Sequence, residues 1–574
     1  MTSAQTLIRP EALDPAISRR LKELRQVTAA LKKSRRSPLE CCRSIIEGRT
    51  LDLKTHAFFL GLPKEEKHYW ISSLYALLMP AARRRKLAAY FTPPHLAKHS
   101  IESLVAAGIQ PGKHRILDPA SGGAAFLVPL AARIAEQLRK RGASPKQILS
   151  AIESTLAGVE IEPDLANLSK ALLSDSLQKE IEAAGRSPRI SIKRADTLAL
   201  PAPDTLYDAI IGNPPYGRIF RPSKAALKEF APVITGGYVN LYSLFLEQSL
   251  RWVKPGGLVT LIIPMSFLGG PYFAELRHRI LETSHVVSLD PIDKRSDVFL
   301  DVLYDVCVLV LRKKPFAGRI DPPTSTLLMI GRPHRSLGTL DLPELPSSRI
   351  WALPDGQTQQ QLFSPGLNTL DDYGFVAKAG YFVWNREQHR FRSGQKPRAG
   401  EFPLFWAHNI KPGSVCKPSD RAPHSENVGF VKVNAESTAV VHSDAILCQR
   451  TTNKRQPRRL VAAVVRKSKV PGKQGFVSEN HTIIILPLPT RKQNIPIALL
   501  CRLLNTEAVD ARFRRISGSV SVSTKALNQL PLPAWEQVRA AFSPGRDDDG
   551  AAAETAYAAS IDTCQRKARS AAAG

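Results

Sequence analysis

Between residues 87 and 315, short apolar runs alternate with longer amphipathic stretches. The runs are rich in β-forming residues, and the stretches between them place apolar residues three and four positions apart, as in helices. The seven runs are HRILDP, LAGVEIE, RISIKRAD, YDAIIGNP, LVTLIIPMSF, VVSLDP and DVCVLVLRKK. This alternation predicts a doubly wound, mostly parallel α/β sheet with helices on both faces.

The patterns on either side of this region differ. Residues 15–80 carry apolar positions at helical spacing among charged residues, which predicts a helical segment. After residue 320 the chain becomes proline-rich, basic and mixed in pattern, and from about residue 540 it becomes alanine-rich. We therefore divide the chain into a helical N-terminal segment (1–86), an α/β domain (87–320), a mixed α+β domain (321–535) and a last segment (536–574) that we expect to be a mobile tail or a frayed helix.

The charge of the chain indicates a class of binding partner. The 574 residues include 80 Lys and Arg against 51 Asp and Glu, a net charge of +29. Residues 1–86 carry +10 and residues 321–535 carry +14, so the excess lies in the flanking segments. Such an excess favours a polyanionic partner, most often nucleic acid, although basicity alone does not separate DNA, RNA and an anionic membrane.

The remaining composition argues for an intracellular protein. The seven cysteines form no CxxC pair, and the 13 histidines show no HExxH spacing, so no metal site and no disulfide framework is indicated. The N-terminus lacks the apolar core of a signal peptide, and no stretch approaches the roughly 20 apolar residues of a membrane span. We expect a cytoplasmic location without membrane attachment.

The first predicted strand ends in a candidate ligand-binding turn. In ILDPASGGAAFL, at 116–127, an acid closes the strand, small residues turn the chain and an amphipathic helix follows. A nucleotide-like ligand binds at this place in α/β folds, because small residues let the backbone approach it closely. The stretch lacks the Gly-Lys-Ser/Thr of a P-loop and the full GxGxxG of a dinucleotide site, so we expect a ligand without pyrophosphate.

Acids end three successive predicted strands. Glu160 lies in GVEIEPD and Asp196 in KRADTL, after Asp118 of the first strand. A single acid at such a position is commonly a helix N-cap. Three of them around a glycine-rich turn suit a nucleoside that carries a cationic group, because an acid there can bind both hydroxyls of a ribose.

The fourth predicted strand, DAIIG, leads into NPPY at 213–216. The prolines could simply end the strand, because proline has no N–H for the ladder. Beside a cofactor site, however, Asn213 offers a side-chain carbonyl and the rigid prolines hold a backbone carbonyl in a fixed direction. Two acceptors aimed at one point can hold an exocyclic amino group, and Tyr216 offers a flat face for a base.

These motifs together resemble a known family. ILDPASGGAAFL, GVEIEPD, RADT and NPPY, in this order, are similar to the motifs of the S-adenosylmethionine-dependent amino-methyltransferases that act on DNA. AYFTPPHLAKHSIESL, at 89–104, resembles a segment of the gamma-class adenine-specific N6-methyltransferases of type II restriction-modification systems. The resemblance continues through NLYSLFLEQSLRWVKPGGLVTLIIPMSFL and DVFLDVLYDVCVLVL. It extends more loosely to CQRTTNKRQPRRLVAA, FVSENHTIIIL and SGSVSVSTKALNQLPLP, which look like parts of a target-recognition domain.

The resemblance implies a Rossmann-like methyltransferase domain, the cofactor S-adenosyl-L-methionine and a role for each matching residue. The cofactor site would be lined by Thr92, Asp118, Pro119, Ala120, Ser121, Gly122, Gly123, Glu160, Asp196 and Phe245. The catalytic tetrapeptide would be Asn213, Pro214, Pro215 and Tyr216, and the target adenine would lie between the rings of Tyr216 and Phe299. Ala124 stands where the family usually has a glycine, and alanine is suited to that position if its φ is negative.

The implied reaction is direct displacement, in which the amine attacks the sulfonium methyl without a covalent enzyme intermediate. No Pro-Cys pair is present, which excludes the nucleophile of a cytosine-C5 enzyme. A duplex hides the adenine, so the base must be flipped out, and this requires extensive backbone contact. Residues 451–470 carry seven basic residues and no acid. The candidates for phosphate contact are Lys454, Arg455, Arg458 and Arg459, although the segment could also be a solvated charged face.

Other functions remain open from the sequence. NPPY also occurs in enzymes that methylate protein glutamine, and related tetrapeptides occur in RNA methyltransferases, but these resemble a catalytic domain with a small accessory segment. A non-catalytic DNA-binding relative would not need an intact NPPY. A fused endonuclease is not indicated, because no PD-(D/E)xK pattern is found. We expect a monomeric enzyme of a bacterial or archaeal cell that acts on double-stranded DNA, with any cognate restriction endonuclease encoded separately.

Overall fold

The computed structural model describes most of the chain. The described residues are 15–80, 82–84, 92–220, 222–292, 305–329, 333–343, 350–354, 362–383, 386, 388–393, 396–416, 428–450, 458–516, 522–542 and 548–573.

Within these residues, nine strands of the predicted α/β region and its border form one sheet. The strands up to residue 339 are β1 (Ile116–Asp118), β2 (Leu156–Glu160), β3 (Ser191–Arg194), β4 (Tyr207–Gly212), β5 (Arg218–Ile219), β6 (Val239–Asn240), β7 (Val253–Pro264), β8 (Ser284–Pro291), β9 (Val306–Lys313), β10 (Thr324–Leu327) and β11 (Arg335–Thr339). The sheet order is β11-β10-β8-β9-β7-β4-β1-β2-β3, and β5 and β6 form a separate antiparallel pair. All seven apolar runs of the sequence are strands of the sheet, so the predicted Rossmann-like fold is confirmed.

The sheet topology places a crevice between β1 and β4. From β1 to β3 the strands are added on one side, and the chain then crosses back to add β4 and β7 in parallel on the other side. Strand β9 runs antiparallel between β7 and β8. Ligands of open α/β sheets bind where the strand order reverses, at the carboxyl ends of the strands. The sites predicted after β1, β2, β3 and β4 all lie at this edge.

Helices pack against the strands of the sheet. Those of the α/β region are Pro94–Ala106, Leu127–Lys140, Pro145–Thr155, Pro163–Ser176, Gln178–Ala184, Lys224–Glu229, Leu241–Trp252 and Ala274–Thr283. Ser144 begins one of them with a capping box, since its side chain accepts from the backbone N–H of Gln147 while the Gln147 side chain binds the backbone N–H of Ser144. Such local signals fix where the helices start, and their apolar faces cover the sheet.

The N-terminal segment is helical and packs against the sheet domain. Its helices are Pro15–Leu31, Pro38–Ile46, Leu53–Phe59 and Lys64–Leu78. One hydrophobic cluster runs from Leu24 through the sheet to Leu353. His68 also contacts Asp175 of the helix Pro163–Ser176, with 2.7 Å between its Nε2 and the Asp175 Oδ2. The N-terminal helices therefore share their core with the α/β domain.

The C-terminal region is mixed α+β, as predicted. Its strands are β12 (Phe375–Ala379), β13 (Phe391–Ser393), β14 (Glu401–Phe405), β15 (Ile410–Lys411), β16 (Ser414–Val415), β17 (Val428–Lys432), β18 (Ala445–Gln449), β19 (Ala462–Val465), β20 (Val477–Ser478) and β21 (Thr482–Pro487). Its helices are Ile497–Leu504, Glu507–Ile516, Thr524–Asn528, Trp535–Ala541 and Asp549–Ala573. The N–H of Trp351 donates to the carbonyl of Leu268 (2.9 Å), which connects this region to the loop after β7.

The described part of segment 536–574 differs from the expected mobile tail. It contains the end of the helix Trp535–Ala541 and the helix Asp549–Ala573. Tyr557 is 1% exposed in the C-terminal hydrophobic core, and its hydroxyl donates to the carbonyl of Pro531 (2.9 Å). The segment is packed rather than mobile or frayed because the helix Asp549–Ala573 buries one face, including Ala553 and Tyr557, in the C-terminal core.

None of the helices in the described part of the chain combines the length and the hydropathy of a membrane span.

Candidate active site

The glycine-rich turn after β1 is folded over the end of β2. The Ser121 N–H donates to the carbonyl of Val159 (2.9 Å), and the Gly122 N–H donates to the Glu160 Oε2 (2.8 Å). A third bond inside the turn runs from the Ala124 N–H to the carbonyl of Ser121 (2.7 Å). The backbone of the turn is therefore held in one shape beside Glu160.

Asp118 ends β1 as a buried carboxyl group. It is 1% exposed, and its Oδ1 accepts the N–H of Ala120 (3.1 Å). Among the described residues, its Oδ2 and the Oγ of Ser121 have no hydrogen-bond partner although both atoms are buried. Burial raises the pKa of Asp118 to about 8. A buried carboxyl oxygen without a partner is costly, so this end of the turn is suited to a ligand that brings a hydrogen-bonding group, or a positive charge that favours release of the Asp118 proton.

Glu160 is held from two sides at the end of β2. Its Oε1 accepts the N–H of Glu162 and its Oε2 accepts the N–H of Gly122, each at 2.8 Å. Burial raises the pKa of this carboxyl group, against the lowering effect of these two N–H groups. Each carboxylate oxygen has two lone pairs, so both can accept a further hydroxyl hydrogen.

The third acid, Asp196, is exposed after β3, and its Oδ1 caps a short helical turn through the N–H of Leu198 (3.0 Å). The hydroxyl of the next residue, Thr197, donates to the carbonyl of Pro119 (2.5 Å). This bond connects the loop after β3 to the glycine-rich turn after β1, so the structure brings the three predicted acids to one edge of the sheet.

Phe245 lies on the helix Leu241–Trp252 and is 7% exposed. Its neighbours Leu244 and Leu246 belong to the main hydrophobic cluster of the described residues, whereas Phe245 does not. A buried ring outside that cluster is consistent with the predicted place beside the cofactor.

Two glycines allow the strands to approach the turn. A Cβ atom at Gly158 of β2 would lie 2.9 Å from the Leu127 Cδ1 and 3.1 Å from the Ser121 Cβ. At Gly212, the last residue of β4, it would lie 3.0 Å from the Asp118 Oδ1. Because Gly212 has no side chain, Asn213 follows β4 directly beside the end of β1.

The carboxamide of Asn213 is held at both ends. Its Nδ2 donates to the Oγ1 of Thr92 (3.2 Å), and its Oδ1 accepts the hydroxyl of Tyr216 (2.5 Å). The Tyr216 oxygen is also 2.9 Å from the carbonyl oxygen of Ile262 in β7, and the Tyr216 ring is 7% exposed. Thr92, Asn213 and Tyr216 therefore come together as one hydrogen-bonded group, and the side-chain carbonyl of Asn213 has a fixed direction.

Ala124 does not meet the condition of a negative φ. Its φ is 57°, in the left-handed region, and the residue is fully buried. An L-residue other than glycine occupies this region at a cost of roughly 1–2 kcal/mol. The turn therefore keeps the conformation that glycine favours, although alanine stands there.

The candidate DNA contacts fall in two groups. Phe299, Lys454 and Arg455 lie outside the described residues, and their roles stay predictions. Arg458 donates through Nη1 to the carbonyl of Asn505. The guanidinium of Arg459 is largely buried, 3.9 Å from the Asp305 Oδ2, and burial lowers its pKa. In this structure both arginines thus contact other parts of the protein.

Sequence reasoning missed the residues that support the turn from behind. Ser169 donates to the carbonyl of Gly122, and Ser72 of the N-terminal helices is 3.5 Å from the carbonyl oxygen of Gly123. Arg83 contacts Glu162 (2.5 Å), whose N–H holds Glu160. These contacts join segments that are distant in the sequence, and a serine on a helix gives no signal of such a role.

The chain is similar to known restriction-modification proteins. Residues 151–299 match the family described as Eco57I restriction-modification methylase. The Type II methyltransferase M.BsuBI of Bacillus subtilis is 24% identical over 336 residues, which cover 56% of this chain and 64% of that protein. M.TthHB8I of Thermus thermophilus is 28% identical over 363 residues, 60% of this chain and 71% of that protein. M.PstI of Providencia stuartii is 23% identical, and the match spans 66% of its length. The matches to M.BsuBI and M.PstI thus span just under two thirds of those relatives.

Solved structures show the same fold. The Type IIL restriction-modification enzyme MmeI, determined in complex with DNA, aligns with a TM-score of 0.53 and 13% identity over 94% of this chain and 87% of its own. A nuclease-deletion mutant of the Type ISP enzyme LlaGI aligns with a TM-score of 0.51 and 13% identity, covering 85% of this chain and 49% of its own. The resemblance to type II methyltransferases inferred from the motifs is confirmed.

Proposed function

Because the chain is related to the type II methyltransferases of restriction-modification systems, we propose that it is a site-specific DNA methyltransferase. The family relationship and the fold support S-adenosyl-L-methionine as its cofactor. We propose further that the methyl group goes to the 6-amino group of a flipped-out adenine, and that the enzyme is the modification partner of a restriction-modification system.

The fixed carboxamide of Asn213 carries this proposal. Its Oδ1 accepts a hydrogen bond from Tyr216 at the edge of the sheet where Asp118, Glu160 and Asp196 also lie. An exocyclic amine that presents its hydrogens to this oxygen and to the carbonyl of Pro214 is drawn toward tetrahedral geometry, which frees its lone pair for attack. Acceptors fixed in advance stabilise the charge that develops in the transition state.

The residues present fit the cofactor. The Asp118 Oδ2, which has no hydrogen-bond partner among the described residues, is suited to a cationic amino group, and Glu160 keeps lone pairs for ribose hydroxyls. Phe245 supplies a ring outside the apolar core. When bound, the cofactor supplies an electrophilic methyl group on a sulfonium. The chain's own part is to align the amine with that methyl group and to keep water away from both.

The target in duplex DNA must leave the stack before it can reach Asn213. Binding strong enough for this step needs many phosphate contacts, which the +14 charge of residues 321–535 is suited to make. We propose that double-stranded DNA is the substrate, that the enzyme acts as a monomer in the cytoplasm of a bacterial or archaeal cell, and that any cognate endonuclease is a separate chain.

The variant Asn213→Ala tests the assignment. It removes an acceptor that acts mainly in the transition state, so we expect turnover on DNA to fall by about 100-fold or more. Cofactor binding measured by calorimetry should change little, because Asn213 is not among the residues proposed to hold the cofactor. Asn167→Ala, at an exposed position of the helix Pro163–Ser176, is the matched control. Turnover of Asn213→Ala close to that of the control would contradict the proposal.

A further inference from the structure

A continuous line of aromatic rings runs from Tyr216 to the protein surface. The Tyr216 and Tyr242 rings lie edge to face at 6.4 Å, and the Tyr242 ring stacks on Phe273 at 5.4 Å. Phe273 contacts Tyr238 at 5.8 Å, and Tyr238 stacks on Tyr272 at 4.5 Å with 19° between the planes. The line begins at a buried ring of the catalytic tetrapeptide and ends at Tyr272, which is 53% exposed.

An arginine joins the outer end of this line to a second exposed ring. The guanidinium carbon of Arg218 lies 4.8 Å from the centre of the Tyr238 ring and 5.1 Å from that of Phe220. Phe220 is 79% exposed. We call Arg218, Phe220, Tyr238 and Tyr272 the aromatic–arginine patch. Arg218 is exposed, and the described residues contain no carboxylate in an ion pair with it.

The backbone around the patch ties it to the catalytic tetrapeptide. Arg218 lies in β5, two residues after Tyr216, and β5 pairs with β6, which precedes the helix that carries Phe245. The N–H of Leu241 donates to the carbonyl of Gly217 (2.8 Å). The patch therefore has a fixed position beside the place where the target base is proposed to lie.

Charge and shape indicate what the patch binds. Residues 218–228 include Arg218, Arg221, Lys224 and Lys228 and no acid, so an anionic partner is favoured. Exposed rings next to a guanidinium suit the flat faces of bases, which gain from stacking and cation–π contact, whereas an apolar protein partner would gain nothing from this charge. A base that leaves a duplex exposes the faces of its neighbours.

We propose that the aromatic–arginine patch is a base-stacking site for DNA. Phe220 stacks on a base exposed beside the flipped target. Arg218 pairs with the adjacent phosphate and holds the Phe220 ring through its cation–π contact. This inference rests on the proposed function for its biological meaning, but it makes a claim about nucleic-acid binding that can be tested without methyl transfer.

The test compares two probes with equal numbers of phosphates. One is a single-stranded thymidine 20-mer, and the other is the same backbone with abasic residues. Binding to the full-length protein is measured by fluorescence anisotropy. We expect Phe220→Ala to weaken binding of the thymidine 20-mer roughly 5- to 150-fold and to leave binding of the abasic strand unchanged. Arg218→Gln should weaken binding of both probes and lower the salt dependence.

The control is Leu53→Ala, which removes an equally exposed apolar side chain (84% exposed) from the N-terminal helices and should change neither affinity. Unchanged binding of the thymidine 20-mer by Phe220→Ala, or an equal loss on both probes, would overturn the proposal. If Phe220→Ala loses affinity for a uridine 20-mer but not for the thymidine 20-mer, the proposal is overturned in favour of RNA. If the protein fails to methylate DNA but shows the expected base-dependent loss, the proposed reaction fails and the patch stands.

Discussion

Replacing Asp118 with asparagine isolates the buried carboxyl group at the end of β1. Burial raises its pKa to about 8 from an ordinary value of 3.8, so between these pH values the folded protein keeps a proton that the unfolded chain releases. Stability then falls as the pH rises, by about 1.4 kcal/mol per pH unit. From pH 5 to pH 7 this one group lowers the free energy of unfolding by about 2.5 kcal/mol. A carboxamide does not titrate. The free energy of unfolding of Asp118→Asn, relative to that of the natural protein, should therefore rise by that amount from pH 5 to pH 7.

The assay is urea unfolding followed by tryptophan fluorescence at pH 5, 6 and 7, with the two proteins compared at each pH so that other titrating groups cancel. Asp196→Asn is the matched control, because that carboxyl group is exposed. If the difference in the free energy of unfolding between Asp118→Asn and the natural protein stays constant from pH 5 to pH 7, the reasoning is refuted. The same variant should bind S-adenosyl-L-methionine more weakly in calorimetry, because a cationic amino group favours release of the Asp118 proton and pairs with the resulting carboxylate, whereas an amide has no charged form.

Tyr216→Phe removes the hydroxyl that donates to Asn213 and keeps the ring. Turnover on DNA should fall about 10-fold while the cofactor affinity stays unchanged. Turnover equal to that of the natural protein would show that this hydrogen bond does not position the carboxamide. Tyr557→Ala should lower the free energy of unfolding by about 3 kcal/mol, because it removes a fully buried ring from the C-terminal core. A thermal unfolding curve like that of the natural protein would mean that the last helix contributes little to stability.

The sheet could be predicted because its strands are buried on both faces. A strand such as β7, with Leu258, Val259 and Leu261 all within 1% of full burial, must be a nearly continuous apolar run. Such runs between helical stretches leave few other topologies. The acids at the strand ends could be predicted for the same reason, since the carboxyl ends of parallel strands meet at one edge.

The side-chain contacts within the site could not be predicted. The sequence predicts a role for the ring face of Tyr216, whereas in the structure its hydroxyl donates to Asn213 and contacts β7, and no spacing in NPPY indicates these contacts. The left-handed φ of Ala124 could not be predicted either, because the sequence has an alanine where the conformation favours glycine. Both depend on how separate segments meet, and a linear pattern does not encode those contacts.

The packing of the final helix could not be predicted because alanine is ambiguous. Alanine favours helices but buries little surface, so DDDGAAAETAYAAS fits a solvated helix as well as a packed one. Tyr557 was the available signal, since a single aromatic ring in an alanine-rich helix is suited to anchor one face in a core.

The most direct test of the central claim is the product of the reaction in a host that expresses the chain. DNA from that host is sequenced for modified bases and compared with DNA from a host that expresses Asn213→Ala. We expect N6-methyladenine at one short sequence with the natural protein and none with the variant. Methylated cytosine in place of adenine, methyl label confined to RNA or protein, or the same adenine methylation with both proteins would contradict the account.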